Sequence, residues 1–154
     1  MSSRQHKYPG TRYYHYHNQN PKGRVTGDCA FRAISLGTGI PYNEVVMSMA
    51  KQMCQTGYAL NDIKGISDYL KNINWYKCRQ PRKEDNTKYQ GWEFCEWLNE
   101  HYKGDAVICN IGGHHMVCIA RHKGLFKIHD VWDSTDGCIG NWWTPIGDYI
   151  NMRW

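Results

Sequence analysis

Apolar and polar positions along this chain follow two regimes. From Cys29 to Tyr102 the apolar residues recur at helical spacing; from Asp105 to Trp143 they alternate or fall in short unbroken runs. In the first regime, Cys29 to Leu36 predicts a short helix stopped by Gly37 and Gly39. Its only clearly polar members are Arg32 and Ser35, so most of its circumference is expected to be buried. Pro41 suits the start of a second helix, Tyr42 to about Gln55. Asn61 is expected to cap a third, Asp62 to Lys71, with Ile63, Ile66, Tyr69 and Leu70 on one face. "NWYKC" reads as a short strand and "RQPRKEDNTKYQG" as a polar loop. Trp92 to Tyr102 predicts a fourth helix, ending near Gly104.

In the second regime "DAVICNI", "HHMVCIARH" and "LFKIHDVW" predict three strands, separated by Gly112-Gly113 and Lys123-Gly124. A shorter strand, "CIGNWW", follows a "STDG" turn. Helices first and an antiparallel sheet second predict an α+β fold, N-terminal helices packed on a C-terminal sheet, with residues 1–154 as one domain. Residues 1–26 read as an irregular arm, broken by Pro9-Gly10, Pro21 and Gly23.

Strand parity adds detail. His115, Val117 and Ile119 share one face, and Met116, Cys118 and Ala120 the other, so this strand is expected to be buried on both sides. In the next run Phe126, Ile128, Asp130 and Trp132 share a face, which leaves Asp130 as a carboxylate on apolar ground. Such a group requires a partner, and an imidazole N–H is a natural one. His129 lies on the opposite face with Lys127 and is the weaker base candidate, whereas Asp133 with Ser134, Thr135 and Asp136 is expected to build the following turn.

Cys29 stands directly behind Gly27-Asp28 at a predicted helix start. A thiol there meets unpaired N–H groups and a partial positive charge, both of which lower its pKa. Asp28 is read as the N-cap, with Arg32 four residues on. A nucleophilic cysteine needs a base, which His115 offers, and an acid to orient the base, which Asp130 offers. The three stand 86 and 15 positions apart, in the order Cys, His, Asp.

Three segments, "GDCAFRAI", "GGHHMVCI" and "KIHDVWDS", together resemble small papain-like cysteine peptidases. Compact proteins with a "DC-x-x-RA" segment like Asp28 to Ala33 occur in bacteriophages and bacteria. The resemblance implies a papain-like fold, with Cys29 as nucleophile, His115 as base and Asp130 as the orienting residue. Papain has Asn-Ser-Trp at the third site, and Asp130-Val131-Trp132 is similar in layout. The implied activity is hydrolysis of a peptide or isopeptide bond through an acyl-thioester, with no cofactor or metal. Papain-like enzymes usually carry a Gln several residues before the Cys as an oxyanion donor, but Gly23 stands six residues before Cys29. Asn18, Gln19 and Asn20, nine to eleven residues before, are the candidates to replace it, and Trp132 and Trp142 are candidates to contact substrate.

Charge and composition leave alternatives open. An acyltransferase or transglutaminase-like enzyme would use the same triad. The first 27 residues hold Arg4, Lys7, Arg12, Lys22 and Arg24 with no acid, so the whole formal charge of +5 lies there. Interleaved with Tyr and His, this arm suits an acidic partner or nucleic acid, and a degenerate papain-like fold could use it without catalysis; alternatively it packs across the domain. Cys29, His115 and Asp130 could also bind zinc, as could "HYH" at His15–His17, but no fourth ligand is suitably spaced. Seven cysteines without a C-x-x-C pair fit neither a disulfide framework nor a zinc ribbon. No apolar run reaches the roughly 20 residues that span a bilayer. No secretory leader is visible, so a cytoplasmic location and no membrane partner are expected.

Overall fold

The structure, a computed structural model, describes residues 10–154, with side chains from Arg12 onward. It is an α+β fold built on one six-stranded sheet. The strands are β1 (Tyr14–Tyr16), β2 (Tyr76–Cys78), β3 (Ala106–Ile111), β4 (His115–His122), β5 (Leu125–Asp130) and β6 (Ile139–Thr144). Their order is β1-β5-β4-β3-β6-β2. Every neighbouring pair is antiparallel except β1 and β5. The helices are the single turn α1 (Gly10–Tyr13), then α2 (Cys29–Thr38), α3 (Tyr42–Thr56), α4 (Ile63–Asn72) and α5 (Gly91–His101).

Two apolar layers hold the sheet. On one face Ile34 of α2, Val45 and Met49 of α3 and Leu70 of α4 pack on Ile108, Met116, Cys118 and Trp143. On the other, Phe94 and Leu98 of α5 cover Val117, Ile119, Phe126, Ile128 and Trp142. Burying each large side chain contributes about 1.5–3 kcal/mol. β4 is buried on both sides, as its parity predicts. The expectation of helices stacked on a sheet is thus corrected in one respect: α5 crosses to the opposite face, and the sheet is sandwiched.

Other boundaries differ for local reasons. α2 runs through Gly37 and stops only at Gly39, which takes a left-handed φ of 78° and donates its N–H to the Ser35 carbonyl. Gly37 instead permits close packing, since a Cβ there would lie 2.8 Å from Ile108. The cap of α4 is Asp62, not Asn61; its carboxylate accepts from the Lys64 N–H. β5 ends at Asp130, so Trp132 lies beyond the strand. The arm is not irregular throughout: Tyr14–Tyr16 adds a parallel edge strand to β5, too short to show as a period between its breakers. Arg4, Lys7 and His6 lie outside the described residues.

This edge carries a histidine cluster. His15 of β1 is in register with His129 of β5, their rings 5.0 Å apart, and His15 stacks on His122 of β4 at 4.1 Å. Burial pushes the His129 pKa down to about 4; its ring bond to the Ala120 carbonyl opposes this, and repulsion from His15, His17 and His122 adds to it. A folded-state value below the ordinary 6.5 means the unfolded chain takes up this proton first. Stability is therefore expected to fall as pH drops from about 6.5 to about 4, with roughly 2 kcal/mol from His129 after allowing for its partial exposure. Thermal melts of wild type and His129→Gln across that window should converge at the acid end; parallel curves would contradict it.

Candidate active site

Four chain segments meet at one end of the sheet: the N-terminus of α2, the first residue of β4, the last residue of β5 and the stretch after β1. Gly112 and Gly113, both at positive φ (62° and 93°), make the turn that delivers His115 to the start of β4, and His114 lies in that turn. β4 and β5 are in register at Cys118 and His129, which places Asp130 diagonally from His115 on one face. The helix α2 then brings Cys29 to the end of β4.

The resulting contacts form a chain. The His115 imidazole and the Met116 backbone N–H lie near enough to the Cys29 thiol to lower its pKa. The Nε2 atom of His115 lies 2.5 Å from Asp130 Oδ2. That leaves Nδ1 as the ring nitrogen for the sulfur. Asp130 Oδ1 accepts from the Val131 N–H at 2.7 Å and from Arg32 at 2.5 Å. Arg32 Nε donates in turn to Asp28 at 2.8 Å, and Asp28 accepts from Asn20 and from the Tyr42 hydroxyl. Arg32 and Asp130 are only 7% and 2% exposed, so this is a buried ionic network with each carboxylate multiply bonded.

Its electrostatics favour a thiolate beside an imidazolium. Burial alone would raise the Cys29 pKa, but the His115 bond, the Met116 N–H and the charges of His115 and Arg32 together lower it below 9.0. Burial would depress His115; its bonds to Asp130 and Cys29 outweigh that and raise it to about 9. The buried thiols behave oppositely: burial pushes Cys78 and Cys118 up to about 12.

The oxyanion side is also built. Asp28 occupies the N-cap position of α2, yet its carboxylate makes no capping bond. It is drawn instead to Arg32, Asn20 and Tyr42, which corrects its expected role. Of the three amide candidates, Gln19 borders the small void beside Cys29. Its Oε1 lies 2.6 Å from His17 Nε2, and its Nε2 donates to Ser35 Oγ at 3.0 Å, which leaves one amide hydrogen uncommitted. Asn18 and Asn20 are turned elsewhere, to the Arg24 carbonyl and to Asp28.

The two tryptophans separate. Trp132, 40% exposed, lies over the His115 ring at 4.8 Å. Trp142 is fully buried, with its indole N–H on the Arg79 carbonyl, so it is a core residue and not a substrate contact. His129 points to the histidine cluster, and Asp133 bonds the Thr135 N–H and hydroxyl in the following turn. Among the described residues no three His, Cys, Asp or Glu side chains form a set able to hold a metal ion.

Arg32 is the functional residue whose part the sequence shows incompletely. Its i,i+4 spacing from Asp28 signals that pair, but nothing local signals Asp130, 98 positions away. The void beside Cys29 is about 10 Å³, room for a single water, so a substrate must lie across the surface of this end of the sheet. Comparison with known proteins returns no match: no family model, no curated protein and no solved structure matches the chain.

Proposed function

We propose that the protein is a papain-like thiol hydrolase that cleaves a peptide or isopeptide bond. The observation that carries this reading is the His115–Asp130 bond beside Cys29, with the thiol pKa lowered and the imidazole pKa raised by one another. Each group has the environment its role needs.

In this mechanism His115 holds the Cys29 proton and Asp130 steadies the imidazolium. The thiolate attacks the carbonyl carbon of a chain laid across the site. The oxyanion is received by the backbone N–H of Cys29 and the remaining amide hydrogen of Gln19. His115 passes its proton to the departing amine, leaving an acyl-thioester. Water, deprotonated by His115, then releases the acid and restores the thiol. Trp132 shields the imidazole and offers a flat wall to a substrate side chain. A shallow surface site favours an extended polymer over an enclosed small molecule.

The test is acyl capture. Wild type incubated with a mixed peptide library and quenched in acid is expected to carry an acyl adduct on Cys29, released by hydroxylamine. Cys29→Ala should show neither adduct nor cleavage. Cleavage retained by that variant, or a library left wholly intact by wild type, would overturn the proposal. Added amine in place of water separates hydrolase from acyltransferase, since only the latter yields a new amide.

A further inference from the structure

A sizeable cavity lies away from the thiol. It holds about 630 Å³ between the segment after β2 and residues 151–154, and Arg79, Arg82 and Arg153 line it with Gln80, Asn151 and Trp154. We propose that this cavity binds a small polyanion, specifically a diphosphate group. The proposal does not rest on the thiol chemistry.

Three arginines line the space, and none of the lining side chains is acidic. Arg82 is held by neutral acceptors only, the Asn86 carbonyl at 3.1 Å and Gln80 Oε1 at 2.8 Å, so it is oriented without being neutralised. Arg79 and Arg153 make no ion pair among the described residues. Two acids of the neighbouring segment are engaged elsewhere: Glu93 pairs with Lys83, and Asp85 accepts from Thr87. The floor is fixed, because Gln80 donates to the Ile139 carbonyl and the Trp142 indole N–H to the Arg79 carbonyl. Trp154, anchored on Trp97 at 4.8 Å, closes one side of the space. Arginines lining one space with no acidic side chain beside them point to an anionic ligand that pairs with them.

Size and charge choose the ligand. A single carboxylate occupies one guanidinium fork, whereas a diphosphate presents enough oxygens and charge for three. The volume falls within the range of small-ligand sites, roughly 300–1,000 Å³. The site lies at the same end of the sheet as the triad but apart from it. Gln80 bonds Ile139, which pairs with Ile111, which pairs with His115, so at least two strand spacings, roughly 10 Å, intervene.

Calorimetric titration of the full chain with pyrophosphate, in about 0.1 M salt, tests this. Saturable binding is expected, weakened about tenfold or more in the double variant Arg79→Gln, Arg153→Gln, and unchanged in Lys51→Gln on α3. Arg79, Arg153 and Lys51 are exposed, so folding should survive each change. A parallel titration with adenosine diphosphate reads the bearer: tighter binding than pyrophosphate assigns a nucleotide, equal binding the diphosphate group alone. No saturable binding up to about 10 mM, binding indifferent to the two arginines, or binding of single-stranded DNA alone would overturn the proposal. Because these readouts do not involve Cys29, failure here leaves the hydrolase reading intact, and the converse holds.

Discussion

Arg32→Met is expected to cost about 3–5 kcal/mol of stability. The methionine fills much of the same volume, so the cost is electrostatic. Asp130 and Asp28 stay buried while each loses its charged donor. Against a total of about 5–15 kcal/mol this is a substantial fraction, and the midpoint of thermal unfolding should fall by roughly 6–20 °C. Two further outcomes distinguish a broken network from a mere loss of packing. Adding Asp28→Asn should cost less in the Arg32→Met background than in wild type, because there it removes a carboxylate already stripped of its charged donor. The deficit should also narrow in acid, where the stranded carboxylates take up protons. A melting point within about 2 °C of wild type would show that Arg32 is not the counter-ion of this network.

That network explains what could be read from the chain and what could not. Local signals carried far. The pattern of apolar positions located the four long helices and five of the six strands, missing only β1. Parity marked Asp130 as a carboxylate on an apolar face that needs a partner, and the Gly112-Gly113 turn put His115 at a strand mouth. Cys29 was visible as a thiol at a helix start. Features decided by tertiary competition were not visible. Asp28 looks like a cap in sequence, but a buried guanidinium one turn away outcompetes exposed N–H groups for its carboxylate. Trp142 and Trp132 are the same residue type in similar strand-like surroundings; only the crossing of α5 to the far face buries the first. β1 has three residues and owes its place to pairing with β5 and to the rings packed around His15. Gln19, by contrast, stood in a run of amides whose members only the fold could distinguish, through Ser35 and His17.

The second large effect concerns Asp130, a positioning residue that acts through His115. Asp130→Asn keeps shape but removes the charge that raises the His115 pKa to about 9. With that attraction gone, burial dominates and the imidazole becomes neutral at pH 7. Cys29 then loses the cation that lowers its own pKa, and the thiol form prevails. Alkylation by iodoacetamide, read at Cys29 by peptide mass mapping, should slow roughly 10–100-fold at pH 7, because only the thiolate reacts. Wild type should reach its plateau rate at a lower pH than the variant, whose thiol ionises later. In turnover of a cleaved peptide the same change should cost up to about 10⁴-fold, the usual consequence of removing the orienting carboxylate from a nucleophile–base–acid set. Stability gives an independent sign. A raised imidazole pKa contributes stability that is complete below about 6.5 and lost as pH rises through about 9. The alkaline fall in wild-type melting temperature should therefore flatten in Asp130→Asn. An alkylation profile that the substitution leaves in place would mean that Asp130 does not govern the charge on His115, and that the thiolate is sustained by the Met116 N–H and Arg32 alone.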